Sequence, residues 1–248
     1  QGKFWWELRH CDYYGQLERP KTVVQCIGYH SRWARDLSGG YINNKAYLIP
    51  SDDLALLAVL NSPLVWWVMW RTFPHMKDEA FSIDGNCIEQ LPIPPLAGKQ
   101  AERIRATTDQ IVKTAHAAVE WERQSLSRIG KLVDLGDAAS KVLGWLRRPE
   151  DDFIRLVSKT ANNRLASAAV TELAAFRQQA SDELGHFLTE QLALEKQLAA
   201  LVEDAYGLTL EDRKLLHETR PVRDPIEVLE TKLAGLDLGE NPQEDGDE

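Results

Sequence analysis

Two apolar stripes at helical spacing, each more than twenty residues long, constrain this chain more than anything else in it. Ile104, Thr108, Ile111, Ala115, Ala118, Glu122 and Ser125 follow an approximate 4–3 spacing. Leu173, Phe176, Ala180, Leu184, Phe187, Leu194, Leu198 and Leu201 follow it more strongly, with Gln191 as the polar interruption. An apolar residue every three or four positions places one face of a helix against a partner. Two such faces of similar length, separated by an insertion, predict two long helices paired antiparallel in a coiled-coil-like arrangement. The insertion carries helical patches at 132–146 and 153–156, broken at Arg147-Arg148-Pro149. Gly207 is placed to cap the second long helix, and a short helix over 226–233 follows Pro221 and Pro225. The acidic, Gly-containing end has the composition of a disordered tail.

The first hundred residues read differently. They hold six of the eight Trp and most of the strand-like pattern. Thr22–Ile27 is β-branched and apolar between Pro20 and Gly28, with Lys21 read as exposed and Val23 and Val24 as core. Tyr41–Ile49 lies between Gly39-Gly40 and Pro50 and predicts a second strand. Ser51-Asp52-Asp53 is an N-cap cluster for a helix beginning near Leu54, and Pro63 should kink or break that helix. Asn61 and Ser62 are suited to satisfy the backbone groups freed there. Trp66 and Trp70 share one helical face and read as core. Phe81–Ile83 and Cys87-Ile88 read as short strands or edges, and Pro92, Pro94 and Pro95 predict an extended exit. The expected fold is therefore a mixed α/β (α+β) domain over 1–97, a helical spacer over 98–216, and a short helix with an acidic tail over 217–248.

Composition narrows the function. No apolar run reaches the roughly 18–20 residues that span a membrane, and the first residues have no long apolar core. A start at Gln1 without an initiator Met suggests an internal piece of a longer polypeptide. Cys11, Cys26 and Cys87 are odd in number and widely spaced, which fits reduced cytoplasmic thiols better than a disulfide framework. His10-Cys11 is a lone dipeptide, and no clustered pattern predicts a metal site. The formal charge of −9 disfavours nucleic acid at first sight, yet residues 1–100 hold ten Lys/Arg and ten Asp/Glu. The excess acid lies beyond them, with six acidic residues in the last dozen. A neutral domain implies weak electrostatic affinity for DNA by itself.

Several short motifs occur together in this first segment: Trp5-Trp6-Glu7-Leu8-Arg9, Asp12-Tyr13-Tyr14, Pro20-Lys21, Tyr41 with Tyr47, Leu57 to Ser62, and Leu91-Pro92-Ile93-Pro94. In this order they resemble the target recognition domain of TaqI-like and Eco57I-like adenine-specific DNA methyltransferases. Type I specificity subunits share the layout. Residues 203–216, with Tyr206-Gly207-Leu208 and Glu211, resemble the stretch after the spacer helices in the Eco57I-like enzymes. The resemblance covers 1–97 and roughly 200–216; the helices between match only in character.

What the resemblance implies is a reader of double-stranded DNA in a restriction–modification or phage-defence system. It would work with a methyltransferase domain that uses S-adenosylmethionine, and with other restriction or defence subunits. The location implied is the bacterial or archaeal cytoplasm, at the nucleoid. The chain itself has neither the Asn/Asp-Pro-Pro-Tyr/Phe element that holds a flipped adenine nor a glycine-rich cofactor loop. Gly39-Gly40 lacks the strand–GxG–helix context, so no cofactor is expected here. Asp212-Arg213-Lys214 and Glu230-Thr231-Lys232 read as solvated helical surface rather than nuclease carboxylates.

Base reading needs short polar side chains or Arg and Lys on a rigid support. The candidates are Arg32 and Arg35 with Asn43, Asn44 and Lys45, then Arg71, His75 and Lys77, and more weakly Asn86. Arginine suits guanine O6/N7 and asparagine suits adenine N6/N7. The acidic balance and the amphipathic helices also fit a different class, a protein–protein scaffold that docks subunits.

Overall fold

The computed structural model describes residues 14–136, 139–146, 148–161 and 165–238. The Trp5–Arg9 and Asp12-Tyr13 motifs, His10-Cys11, and the acidic tail from residue 239 lie outside the described residues. The fold is mixed, helix-rich with small antiparallel sheets, and it divides into two compact units.

The first unit takes in the chain up to Thr108 together with Leu198–Pro225. It begins with α1 (Tyr14–Leu17), β1 (Lys21–Gln25), β2 (Ile27–Gly28), β3 (Ala34–Asp36) and β4 (Ala46–Ile49). β1 is the centre of a three-stranded antiparallel sheet, with Thr22 opposite Arg35 on β3 and opposite Ile49 on β4. β2 pairs with β5 (Phe81–Ser82) in a second, two-stranded ladder. Helix α2 (Leu54–Leu60) starts where expected because Asp53 caps it, its carboxylate accepting from Ala55 N at 2.9 Å. The predicted break is real. Ser62 Oγ accepts from Val65 N at 3.2 Å, and Pro63 opens α3 (Pro63–Thr72), bent 53° from α2.

Around α2 and α3 packs the core: Val24, Trp33, Leu60, Trp66, Met69 and Phe81, joined by Val202. Trp66 is fully buried, as its spacing predicted. Its ring meets Trp70 and Phe81 edge-on at 5.7 and 5.1 Å. Among the described residues no single helix is long and apolar enough to cross a membrane. The bent pair α2–α3 meets the test on length and composition, but Val59, Val65 and Trp66 are spent in this core.

Three expectations for this unit are corrected. Of Tyr41–Ile49 only Ala46–Ile49 is strand, because Asn43 folds residues 43–46 into a turn. Cys87-Ile88 lies in α4 (Gly85–Glu89), a helix capped by Asp84, whose carboxylate accepts from Cys87 N at 3.0 Å. Lys21 is completely buried. Its Nζ donates to Leu17 O at 2.6 Å and to Asp36 Oδ2 at 2.5 Å, so the charge is paired where it lies. That ammonium and the Ser38 hydroxyl hold the Asp36 carboxyl far below its usual range.

The first compact unit does not stop at residue 97. It runs into α5 (Gly98–Leu132), and the end of α8 (Ser167–Ala205) and α9 (Leu210–Glu218) fold with it. Long-range bonds make this return: Trp66 Nε1 donates to Val222 O at 3.1 Å and Trp67 Nε1 to Thr219 Oγ1 at 2.9 Å. Tyr206 donates its hydroxyl to Pro92 O, and burial pushes its pKa up to about 12. Gly207 ends α8 as expected, with φ 67°, Leu208 N on Glu203 O and Gly207 N on Asp204 O.

The second unit comprises Asp109–Gln197 and the chain from Ile226. Arg128 reaches Gln179 at 3.1 Å, and Trp121, a turn or two earlier on α5, reaches Glu183 later on α8. Advancing along one helix means retreating along the other, which is the antiparallel pairing predicted. The seam differs in detail: Thr114 and Ser125 are buried while Ala115 and Glu122 are exposed. Helices α6 (Ala139–Trp145) and α7 (Glu150–Thr160) close one end of the pair, with Leu146, Phe153 and Val157 packed on Ile129, Leu173 and Phe176. Helix α10 (Pro225–Leu238) runs longer than the 226–233 expected, and Glu230 pairs with Lys196 of α8 at 2.7 Å.

Candidate nucleic-acid interface

Because β1 is antiparallel to both neighbours, β4 begins opposite Gln25 at its C-terminal end and β3 begins opposite Val23 at its middle. Polar side chains lie around that C-terminal end, beside the exposed Ile27 and Tyr47. Gln25, the last residue of β1, is exposed and opposite Ala46. Just before Ala46, Asn43 Oδ1 accepts from Lys45 N at 2.9 Å, a side-chain-closed turn that leaves the Asn43, Asn44 and Lys45 side chains exposed. Cys26 then ties three segments together. Its N donates to Lys45 O at 2.8 Å and its O accepts from Ile83 N at 2.8 Å. Ile83 leads directly into Asp84 and α4, so exposed Asn86 joins the same region. The position a Cβ of Gly85 would take lies 3.9 Å from the Tyr47 ring. Asp84 is the acid here, held below its usual range by the amide of Cys87.

Arg32 enters from the other side of β1, two residues before β3. It is exposed and makes no hydrogen bond or ion pair among the described residues. Its neighbours are fastened. Trp33 N donates to Asn61 Oδ1 and Asn61 Nδ2 donates to Trp33 O, both at 3.0 Å. Ser31 Oγ donates to Leu60 O at 2.7 Å. The break between α2 and α3 is therefore also a clamp on residues 31–33.

The remaining candidates are placed otherwise. Arg35 lies on β3 opposite Thr22, toward the other end of β1, and pairs with Asp52 at 2.8 Å. Its Nε is buried without a hydrogen-bond partner. Arg71 stacks 3.7 Å from the Trp67 ring centre and donates to Thr219 O at 2.9 Å. His75 donates from Nε2 to Trp70 O at 2.7 Å, its ring packed on Phe81 at 4.6 Å. Lys77 is exposed and opens a one-turn 3-10 helix, Lys77–Glu79. So Asn43, Asn44, Lys45 and Asn86 are brought to one end of β1 through Cys26, Arg32 stands exposed on the segment entering β3 on the other side of that strand, and Arg35, Arg71 and His75 spend donors on the protein.

Sequence reasoning passed over Gln25 and the second role of Asn61. The polar end of the Thr22–Ile27 run was a signal for Gln25. Nothing local signalled that Asn61 would pair with a residue 28 positions earlier.

Gly39 has φ 71°, and a Cβ there would sit 3.1 Å from Glu18 O. The Gly39-Gly40 pair is thus packed into a loop rather than opening a helix. Asp212 closes the capping box of α9 with Thr209, Arg213 bonds Asp204 at 2.6 Å, and Lys214 faces Glu218. Among the described residues no group of three His, Cys, Asp or Glu could hold a metal ion. Comparisons with protein-family models, with curated proteins and with solved structures give no match to this chain.

Proposed function

We propose that this chain is the sequence-reading module of a larger adenine-N6 DNA methyltransferase in a restriction–modification or phage-defence system. It recognises double-stranded DNA and positions the target adenine for a methyltransferase domain that binds S-adenosylmethionine. The observation that carries this reading is the set of exposed hydrogen-bonding side chains around β1: Arg32, Asn43, Asn44, Lys45 and Asn86. They are the residue types that match base edges, mounted on a sheet braced by core. The order of the motifs resembling recognition domains supports it, as does the bond joining two of them, from Tyr206 to Pro92. The working place is the cytoplasm, at the nucleoid.

The paired helices act in this reading as a coiled-coil-like spacer that docks on the methyltransferase domain or on another subunit. Exposed apolar side chains on α9, Leu210 at 86% and Leu215 at 54%, favour a docking role for that helix and leave a subunit scaffold as the second reading.

Selection on a randomised duplex pool, with the winners bound at two salt concentrations, decides between them. The chain, and the polypeptide joining it to a methyltransferase domain, should enrich one recurrent motif whose affinity falls steeply with salt. Enrichment of no motif by either protein refutes the reading. Association with a protein subunit that is insensitive to salt supports the scaffold instead.

A further inference from the structure

We infer that Arg32 is the side chain that discriminates a guanine, and that Asn61 is its positioning residue, acting from inside the fold without touching DNA. The inference rests on the DNA-reading function proposed above.

Asn61 is half-buried at the end of α2, and every polar atom of its amide is used. Oδ1 accepts from Trp33 N at 3.0 Å, while Nδ2 donates to Trp33 O at 3.0 Å and to Leu57 O at 3.1 Å. The amide thus pairs with both backbone groups of one residue, as a neighbouring strand would. Ser31 is fixed independently: its hydroxyl donates to Leu60 O at 2.7 Å and accepts from Trp33 Nε1 at 3.1 Å. The Trp33 ring is buried in the core. Alternate side chains of an extended segment point to opposite sides. With Ser31 and Trp33 committed to the helices, Arg32 is turned outward.

The result is an arginine whose own side chain is free but whose backbone is held on both flanks. Such an anchor reduces what the guanidinium loses on ordering against a ligand. A guanidinium presents two parallel, coplanar donors that match O6 and N7 of guanine; a lysine can reach the same acceptors but as a flexible point charge without that fork. The same group could grip a phosphate, and the variants below separate the two.

The test measures Kd for the selected duplex and for a panel changed at one base pair at a time. The variants are R32A, R32K, N61A, S31A and R32A/N61A, each with a thermal melt. R32A should abolish discrimination at one G·C pair by about 5- to 150-fold, that is about 1–3 kcal/mol at 1.4 kcal/mol per decade, and leave the other positions intact. N61A should erode discrimination at the same pair, and the double variant should be no worse there than R32A. S31A removes one hydroxyl and should shift the same position if N61A fails to fold.

R32K separates the two: at a base contact it should keep only part of the preference at that one pair, whereas a phosphate contact would be restored on every duplex alike. If instead R32A weakens every duplex equally and R32K restores binding, Arg32 holds phosphate and the inference is wrong. It is equally wrong if N61A and S31A lower the melting temperature while discrimination at that pair stays intact. A wild-type chain with no preferred duplex overturns the DNA reading itself, a different result, and the inference falls with it.

Discussion

Glu195 offers the sharpest test of the packing of the second unit. It lies on α8 and makes no hydrogen bond or ion pair among the described residues, and burial alone pushes its pKa up to about 7 from an ordinary 4.5. An acid with a raised pKa is bound to its proton more tightly in the folded than in the unfolded chain. Folding is therefore favoured below pH 4.5, where both states are protonated. That stability is lost progressively as pH rises from 4.5 through 7, because the unfolded chain ionises first. Above 7 the loss is complete. The gap corresponds to about 3 kcal/mol at 1.36 kcal/mol per pH unit, an upper value because the residue keeps some solvent exposure. Glu195→Gln removes the charge and keeps the shape. Urea unfolding followed by circular dichroism should show the variant more stable than the parent by up to about 3 kcal/mol at pH 8 and equal to it near pH 4.5. Only the difference between the two proteins is read, so other titrating groups cancel. An equal difference at both pH values would refute the argument, since it would mean the carboxylate reaches water and titrates normally.

Two further perturbations probe the first unit. Trp66→Ala empties a fully buried site and should cost about 3–5 kcal/mol in urea unfolding. Trp66→Phe keeps most of the volume but loses the bond to Val222 O, so proteolysis within 219–224 should quicken with a smaller loss of stability. Alanine at two left-handed glycines should separate conformation from crowding. Gly207 has φ 67° and nothing within 4 Å of a new Cβ, so Gly207→Ala should cost about 1 kcal/mol. Gly39→Ala meets Glu18 O at 3.1 Å in addition and should cost clearly more, a comparison made by thermal melts of the two variants.

Helix ends and helix faces were legible in the amino-acid sequence because the signals are local. Asp53, Ser62 with Pro63, and Gly207 sit where a cap or a left-handed residue satisfies backbone groups a few positions away. The two stripes were legible because one face of a helix repeats. The failures are all cases in which a distant partner or a side chain overrides a local preference. Lys21 reads as exposed until Asp36, fifteen residues on, supplies a counter-charge. Tyr41–Ile49 reads as strand until the Asn43 side chain captures its neighbour's amide. Residues 203–216 share the resemblance with the first segment, but no local signal shows that 198–225 pack on it, because the bond from Trp66 to Val222 joins positions 156 apart. In the candidate site, residue types were legible but their availability was not: Arg32 and Arg35 look alike in sequence, and only Arg35 has Asp52 beside it.

That difference in availability bears on how a reader of this kind could change its target. The polar groups of the motifs that carry the resemblance are engaged within the protein: Lys21 with Leu17 and Asp36, Asn61 with Trp33 and Leu57, the Pro92 carbonyl with Tyr206. A group already bonded inside the fold has no donor or acceptor to offer a base edge, and withdrawing it would leave a buried partner unsatisfied. Those motifs can only be framework. The side chains left open, Arg32, Asn44 and Lys45, are set into the framework by backbone bonds, from Trp33 to Asn61 and from Cys26 to Lys45. Backbone bonds do not depend on which side chain the residue carries. Under the proposed function, the identity of residues 32, 44 and 45 could therefore change, and with it the sequence read, while the clamp and the sheet stay as they are; Asn43 is tied to its type by the turn its Oδ1 closes on Lys45 N.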